Sequence, residues 1–158
     1  MEDDAVRAAS SPRSDGGDVV AVTEQAREIS PDEVCVLIPT LEEAATIGDV
    51  IEGFYEQGYT NVVVIDGDSE DDTREIARDH GAEVLVQSGS GKGQAVREAL
   101  EYVTVPYVLM LDGDGTYDPA DADEMIEPLA RGYEHVIGNR FADMDDDAMR
   151  ALNGFGNR

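Results

Sequence analysis

At 158 residues the chain is long enough for one domain with a real core and too short for two of ordinary size. Its 36 acidic residues outweigh 11 Lys and Arg combined, giving a formal net charge of -25, and lysine is reduced to Lys92 alone. Such a polyanion excludes nucleic acid as a partner, and scarce lysine beside retained arginine fits a protein of a salt-accumulating halophile, where salt screens the self-repulsion.

Residues 1–30 mix Asp, Ser, Gly and Pro with few large apolar side chains, so they cannot offset the entropy of ordering and are expected to form an acidic disordered tail. Residues 31–158 carry the pattern of a folded domain. Short apolar runs, VCVLI at 34–38, NVVVI at 61–65, AEVLV at 82–86, YVLML at 107–111 and EHVI at 134–137, read as five strands. Helical patterns at 44–57, 72–80, 93–103 and 120–131 separate them, with Gly58, Gly81 and Gly132 just past three of the helix ends as stop signals. Runs apolar on both faces, alternating with helices, predict an α/β fold with a doubly wound, mostly parallel sheet. Cys35, the one cysteine, sits in the first run; it excludes an internal disulfide and reads as a core residue. No apolar stretch nears the roughly 20 residues that span a bilayer, and the N-terminus is acidic where a signal peptide is basic. The chain as given is therefore expected in the cytoplasm.

Ligands of doubly wound sheets bind outside the carboxyl ends of the strands. In chain order those ends carry Pro39, Thr40, Glu42 and Glu43, then Asp66, Asp68 and Ser69, then residues 88–92, then Asp112 and Asp114, then Asn139 and Arg140. Residues two apart on an extended strand share a face, so Asp112 and Asp114 can point together, with Gly113 between them permitting close approach. Two hard oxygen donors suit Mg²⁺ or Mn²⁺ completed by substrate phosphates, and such a metal stabilises the charge on a departing diphosphate. An Asp-Gly turn closing a strand is the plainer reading of the same residues.

The segment GSGKG at 89–93 lies between a strand and a helix, where backbone amides and Lys92 attract phosphate, or where a flexible turn simply carries a solvated lysine. It is not a Walker A loop, since Gly93 and Val86 replace the required Ser or Thr and the leading Gly, nor a dinucleotide fingerprint, whose third glycine falls on Gln94. Arg140 after HVIGN offers a guanidinium fork to a phosphate. His80 and His135 stand alone and are left out of the candidate site.

Taken together and in order, LIPTLEEAATI, IDGDSEDDT, SGSGKGQA, LMLDGDGTYDP and VIGNRF resemble the inverting family 2 glycosyltransferases of the GT-A fold, and within them the dolichyl-phosphate hexose synthases, with a haloarchaeal glucosyltransferase of N-glycosylation as the nearest likeness. The resemblance covers about 34–158. It implies that Pro39 and Glu42 or Glu43 lie at the nucleotide pocket, that Asp66 contacts the base, that Asp112 and Asp114 bind metal and diphosphate, and that Arg140 binds phosphate. The chain departs from the family where P-x-Y/F-N-E reads Pro39 to Glu43, where D-D-G-S reads Asp66 to Ser69 and leaves the role of Asp68 open, and where Thr116 replaces a frequent Gln.

The same resemblance implies acceptor-binding segments beyond Arg158, so the GT-A domain is expected to be C-terminally incomplete and the chain weakly active or inactive. The expected reaction moves a hexose from a nucleotide diphosphate sugar to dolichyl phosphate at the cytoplasmic face of the membrane. Two other readings compete for Asp112 to Thr116. A haloacid-dehalogenase-like phosphatase matches D-x-D-G-T literally, yet three strand and helix units precede the loop here and Tyr117 stands where that family has an aliphatic residue. A calcium loop wants Gly and free backbone where Tyr117 and Pro119 stand. A fragment that binds nucleotide sugar without catalysis is the third alternative.

Overall fold

A computed structural model of the protein describes residues 27–138. Most of the expected tail, as well as Asn139 and Arg140, lies outside the described residues. Within them the first four apolar runs form parallel strands, β1 (Val34–Thr40), β2 (Asn61–Asp66), β3 (Glu83–Val86) and β4 (Tyr107–Met110), in the order β3-β2-β1-β4. Helices α1 (Ile47–Glu56), α2 (Thr73–Asp79) and α3 (Lys92–Leu100) connect them, and α4 (Ala122–Ala130) follows β4 after a 3-10 turn at Pro119–Asp121.

β1 is buried along its whole length; it lies between β2 and β4 and is covered on both faces. Its alternation divides the core in two. Val34, Val36 and Ile38 pack with Ile47, Val50, Ile51 and Phe54 of α1, Ala77 of α2 and Ile126 of α4. Cys35 and Leu37 point to the opposite face, against Ala95 and Ala99 of α3. The apolar positions of α1 recur three and four apart, so one stripe of the helix reaches the sheet. Each such side chain contributes about 1.5–3 kcal/mol on burial. Burial also pushes the Cys35 thiol up to about 11, which leaves it protonated and chemically quiet.

Three helices end alike. Gly58, Gly81 and Gly132 take left-handed φ values of 90°, 90° and 93°, and the residue after each donates back into the last turn, Tyr59 to Phe54 at 3.0 Å, Ala82 to Ala77 at 3.1 Å and Tyr133 to Pro128 at 3.3 Å. Only glycine adopts that φ without steric cost, so the expected stop signals operate as read.

The fifth strand is a correction. Residues 134–137 are irregular, and Ile137 is 80% exposed. A run of four residues does not distinguish a strand from a loop by periodicity, and a strand needs a ladder partner; among the described residues β4 pairs with β1 alone.

The chain steps outward from β1 to β2 to β3, then returns beneath α3 to place β4 on the other side of β1. The order therefore reverses between β1 and β4, which makes their carboxyl ends the binding crevice of the fold. There β1 overshoots its neighbour: pairing with β4 stops at Leu37↔Met110, whereas pairing with β2 runs on to Thr40↔Asp66. Pro39, which has no N–H to give, falls in the stretch paired on one side only.

Candidate active site

The β1–α1 loop is held by the motif that follows β2. Three consecutive backbone amides donate to it: Glu42 to Ser69 Oγ at 2.9 Å, Glu43 to Thr73 Oγ1 at 2.8 Å and Ala44 to Asp71 Oδ2 at 3.2 Å. In return the Glu42 carboxylate accepts from the Glu70 amide at 2.6 Å. These bonds hold Glu42 at a left-handed φ of 59°, a conformation that costs a glutamate of order 1–3 kcal/mol and persists only where its surroundings impose it. The hydrogen bonds from Thr73 to Asp71 hold that carboxyl below the usual carboxylate range.

Asp66 anchors the same region from below. Its side chain is 0% exposed and accepts from the Ser69 amide at 2.8 Å, from Ser69 Oγ at 2.6 Å and from Thr40 Oγ1 at 3.2 Å, with Arg74 Nε 3.6 Å away. Arg74 also reaches Asp68 at 3.3 Å and the Ser69 carbonyl at 2.9 Å. Asp68 is exposed and takes a left-handed φ of 71°, tolerable for aspartate. The acidic motif after β2 is thus in large part an acceptor array for neighbouring amides and for one guanidinium.

Across the crevice the chain leaves β4 at Leu111, whose amide still bonds the Leu37 carbonyl at 3.2 Å, and turns through Asp112 to Gly115. Thr46, at the start of α1, donates its hydroxyl to the Gly113 carbonyl at 2.7 Å and so ties this turn to the β1–α1 loop. A Cβ at Gly113 would lie 2.3 Å from Glu43 Oε2, 3.0 Å from Thr40 Cγ2 and 3.1 Å from Ile47 Cδ1, so the position admits only glycine without rearrangement. Asp114 turns toward solvent and accepts from the Thr116 amide at 2.9 Å, while Asp112 is half-buried and pairs with Lys92 from the β3–α3 loop.

Glu43 sits between these parts. Its Oε2 is buried and has no hydrogen-bond partner among the described residues. Burial first, then the charges of Asp114 and Asp112, raise its carboxyl to about 7, with Lys92 and the Gly113 backbone pulling the other way. An orphaned carboxylate oxygen, two further carboxylates and a glycine that leaves room beside them fit a cation. Among the described residues no group of three or more His, Cys, Asp or Glu is placed so that it could hold a metal ion by itself. The donor set matches Mg²⁺ or Mn²⁺ held by one or two carboxylates, with the remaining positions left to phosphate oxygens and water.

The crevice therefore gathers Pro39, Glu43, Lys92, Asp112, Gly113 and Asp114. Glu42, Asp66 and Asp68 lie to one side, as parts of the stitched loops, and Arg140 lies outside the described residues. Sequence reasoning passed over Thr46, Thr73 and Arg74. A Thr one place before an apolar helix, and DDTR at the start of another, were signals that these side chains stood at helix N-termini with hydrogen bonds to give.

The model of the family described as Glycosyl transferase family 2 matches residues 35–154. The chain belongs to that family. Among curated relatives, "Glycosyltransferase AglJ" of Haloferax volcanii is 62% identical over 130 residues, which cover 82% of this chain and 43% of the relative. The "Dolichyl-phosphate hexose transferase" of the same organism is 34% identical over 132 residues, 82% of this chain and 57% of the relative. This family 2 chain thus spans about half the length of the curated relatives it matches. Among solved structures, glucosyl-3-phosphoglycerate synthase from Mycobacterium tuberculosis in complex with Mn²⁺, UDP-glucose and phosphoglyceric acid superposes with a TM-score of 0.57 at 26% identity, covering 63% of this chain and 40% of that one. Mannosyl-3-phosphoglycerate synthase from Rubrobacter xylanophilus gives a TM-score of 0.57 at 30% identity over 61% of this chain and 36% of that one.

Proposed function

We propose that this chain forms the donor-binding part of a hexosyltransferase that moves glucose or mannose from a nucleotide diphosphate sugar to dolichyl phosphate, an early step of protein N-glycosylation at the cytoplasmic face of the membrane. The observation that carries the reading is the convergence of Glu43, Asp112, Asp114 and Lys92 on the crevice between β1 and β4. The dolichyl-phosphate hexose transferase among the relatives supports the acceptor class, and the Mn²⁺ and UDP-glucose of the solved neighbour support the donor class. No helix among the described residues is long and apolar enough to cross a membrane.

In this reading an oxygen of the lipid phosphate attacks the anomeric carbon in line. The bond from that carbon to the nucleotide diphosphate breaks, yielding the lipid-phosphate hexose and a nucleoside diphosphate. Asp112 and Asp114 would hold the divalent cation, whose contribution when bound is to neutralise charge on the diphosphate. Gly113 lets the carboxylates and diphosphate approach closely, and the stitched loop from Glu42 to Ala44 walls the nucleotide side. Arg140, by the family resemblance, would add a guanidinium to the phosphates. A lipid phosphate is already anionic at neutral pH, so the chain needs no strong general base for the acceptor.

The test is a thermal-shift screen of UDP- and GDP-sugars with Mg²⁺ or Mn²⁺ in concentrated KCl. The expected result is stabilisation by one nucleotide class only when the cation is present. Equal stabilisation with and without cation, or none with either nucleotide, contradicts the assignment.

A further inference from the structure

We propose that Lys92 is a resident counter-ion of the acidic crevice that gives up Asp112 when a divalent cation and a diphosphate enter together, and so makes cation and donor binding mutually dependent. The inference rests on the donor-site reading above and adds to it a role for the chain's one lysine.

Three observations carry it. Lys92 is the first residue of α3, and its side chain pairs with Asp112, just past the end of β4. α3 packs on β2 and β1, so its first residue is brought beside the turn that follows β4 although β3 and β4 are the two ends of the described sheet. Second, the ammonium stands within electrostatic reach of Glu43 as well as Asp112, in the same field as Asp114. Its single positive charge sits on Asp112 and within the field of Glu43, where a divalent cation held by Asp112 would compete with it. Third, the pair is open and its loop is roomy. The Lys92 side chain is 55% exposed and that of Asp112 34%, and nothing stands within 4 Å of where a Cβ would project from Gly91 or Gly93. The lysine can therefore swing away without disturbing packed core.

The consequence is competition followed by hand-over. A cation arriving alone must displace the ammonium from Asp112 and leave it among carboxylates without a partner of its own. A cation arriving with a nucleoside diphosphate brings the anion that the displaced ammonium can pair with. By linkage, the diphosphate then tightens cation binding and the cation tightens diphosphate binding by the same factor.

Mn²⁺ binding to the full chain is measured by electron paramagnetic resonance, with and without whichever of UDP or GDP gives the larger thermal shift. Wild type is compared with Lys92→Met, Lys92→Arg and Asp112→Asn. In Lys92→Met, Mn²⁺ alone should bind roughly three- to fivefold more tightly, the scale set by losing one partly exposed ion pair. Mn²⁺ affinity in the presence of the diphosphate should rise less than in wild type, so the coupling factor shrinks. Lys92→Arg should return both values toward wild type, and melting curves without metal confirm that each variant is folded. If Mn²⁺ alone binds Lys92→Met no more tightly than wild type while Asp112→Asn loses binding, the counter-ion role is overturned and the donor site stands. If Asp112→Asn retains Mn²⁺ with diphosphate, the site assignment itself fails.

Discussion

Two aspartates stand at the carboxyl ends of strands that flank β1, and they have been put to opposite uses. Asp66, at the end of β2, is fully enclosed and its carboxylate is occupied by Thr40, Ser69 and Arg74. Asp112, just past β4, is half-buried and meets the ammonium of an exposed lysine. The difference follows from the sheet: β2 is paired with β1 to its last residue, so Asp66 is drawn into the ladder, whereas β4 stops short and Asp112 begins a turn across an open crevice. A buried carboxylate that accepts three hydrogen bonds gives rigidity. A carboxylate held by one exchangeable cation gives binding.

That contrast separates stability from function, and substitutions should expose it. The largest effect on stability is expected from Asp66→Ala, which strands the Thr40 hydroxyl and both Ser69 donors and takes one partner from Arg74. The loss should be about 2–4 kcal/mol by denaturant unfolding, because buried donors lose partners and Arg74 recovers part of the cost from water. If Asp66→Ala unfolds like wild type, its enclosure is incidental. Gly113→Ala comes next, since the new Cβ meets Glu43 Oε2 and the Thr40 and Ile47 side chains. A loss of about 1–3 kcal/mol is expected from overpacking, and adding Glu43→Ala in the same chain should recover part of it. Thr46→Val removes the bond to the Gly113 carbonyl and should cost about 1 kcal/mol.

The smallest effect is a slope. Glu43 has its carboxyl raised from 4.5 to about 7, so between those pH values the folded state keeps a proton that the unfolded chain has released. The stabilisation from that proton is complete below about pH 4.5 and lost as pH rises through 7. Glu43→Gln should therefore flatten the fall in melting temperature across this window. An unchanged slope would mean that Glu43 is better solvated than its position indicates.

The two regions also differ in how far they could be read before the structure. Strand and helix order was legible because apolar runs and glycine stops carry it locally; β1 and β2 extend past their apolar runs to include Thr40 and Asp66, since ladder pairing ignores the change to polar side chains. The run at 134–137, Glu-His-Val-Ile, looked like a strand because four residues cannot announce whether a neighbour will pair with them. Asp112 and Asp114 were legible as a pair, two apart with glycine between. The partnership of Thr46 with Gly113 and of Lys92 with Asp112 was not, because nothing local in the sequence brings together residues that meet only when β4 crosses to the far side of β1. Nor did an acidic stretch such as DGDSEDDT disclose that Asp66, Asp71 and Thr73 turn inward to hold amides while Asp68 turns outward.

The central claim is that the crevice beside β4 binds a nucleoside diphosphate through a divalent cation on Asp112. Titration calorimetry of UDP and GDP into wild type and Asp112→Ala, each with Mn²⁺, tests it most directly. The account predicts cation-dependent binding that disappears in Asp112→Ala while the unfolding midpoint stays close to wild type. Equal binding by both proteins, or loss of binding only because the variant has unfolded, would contradict it.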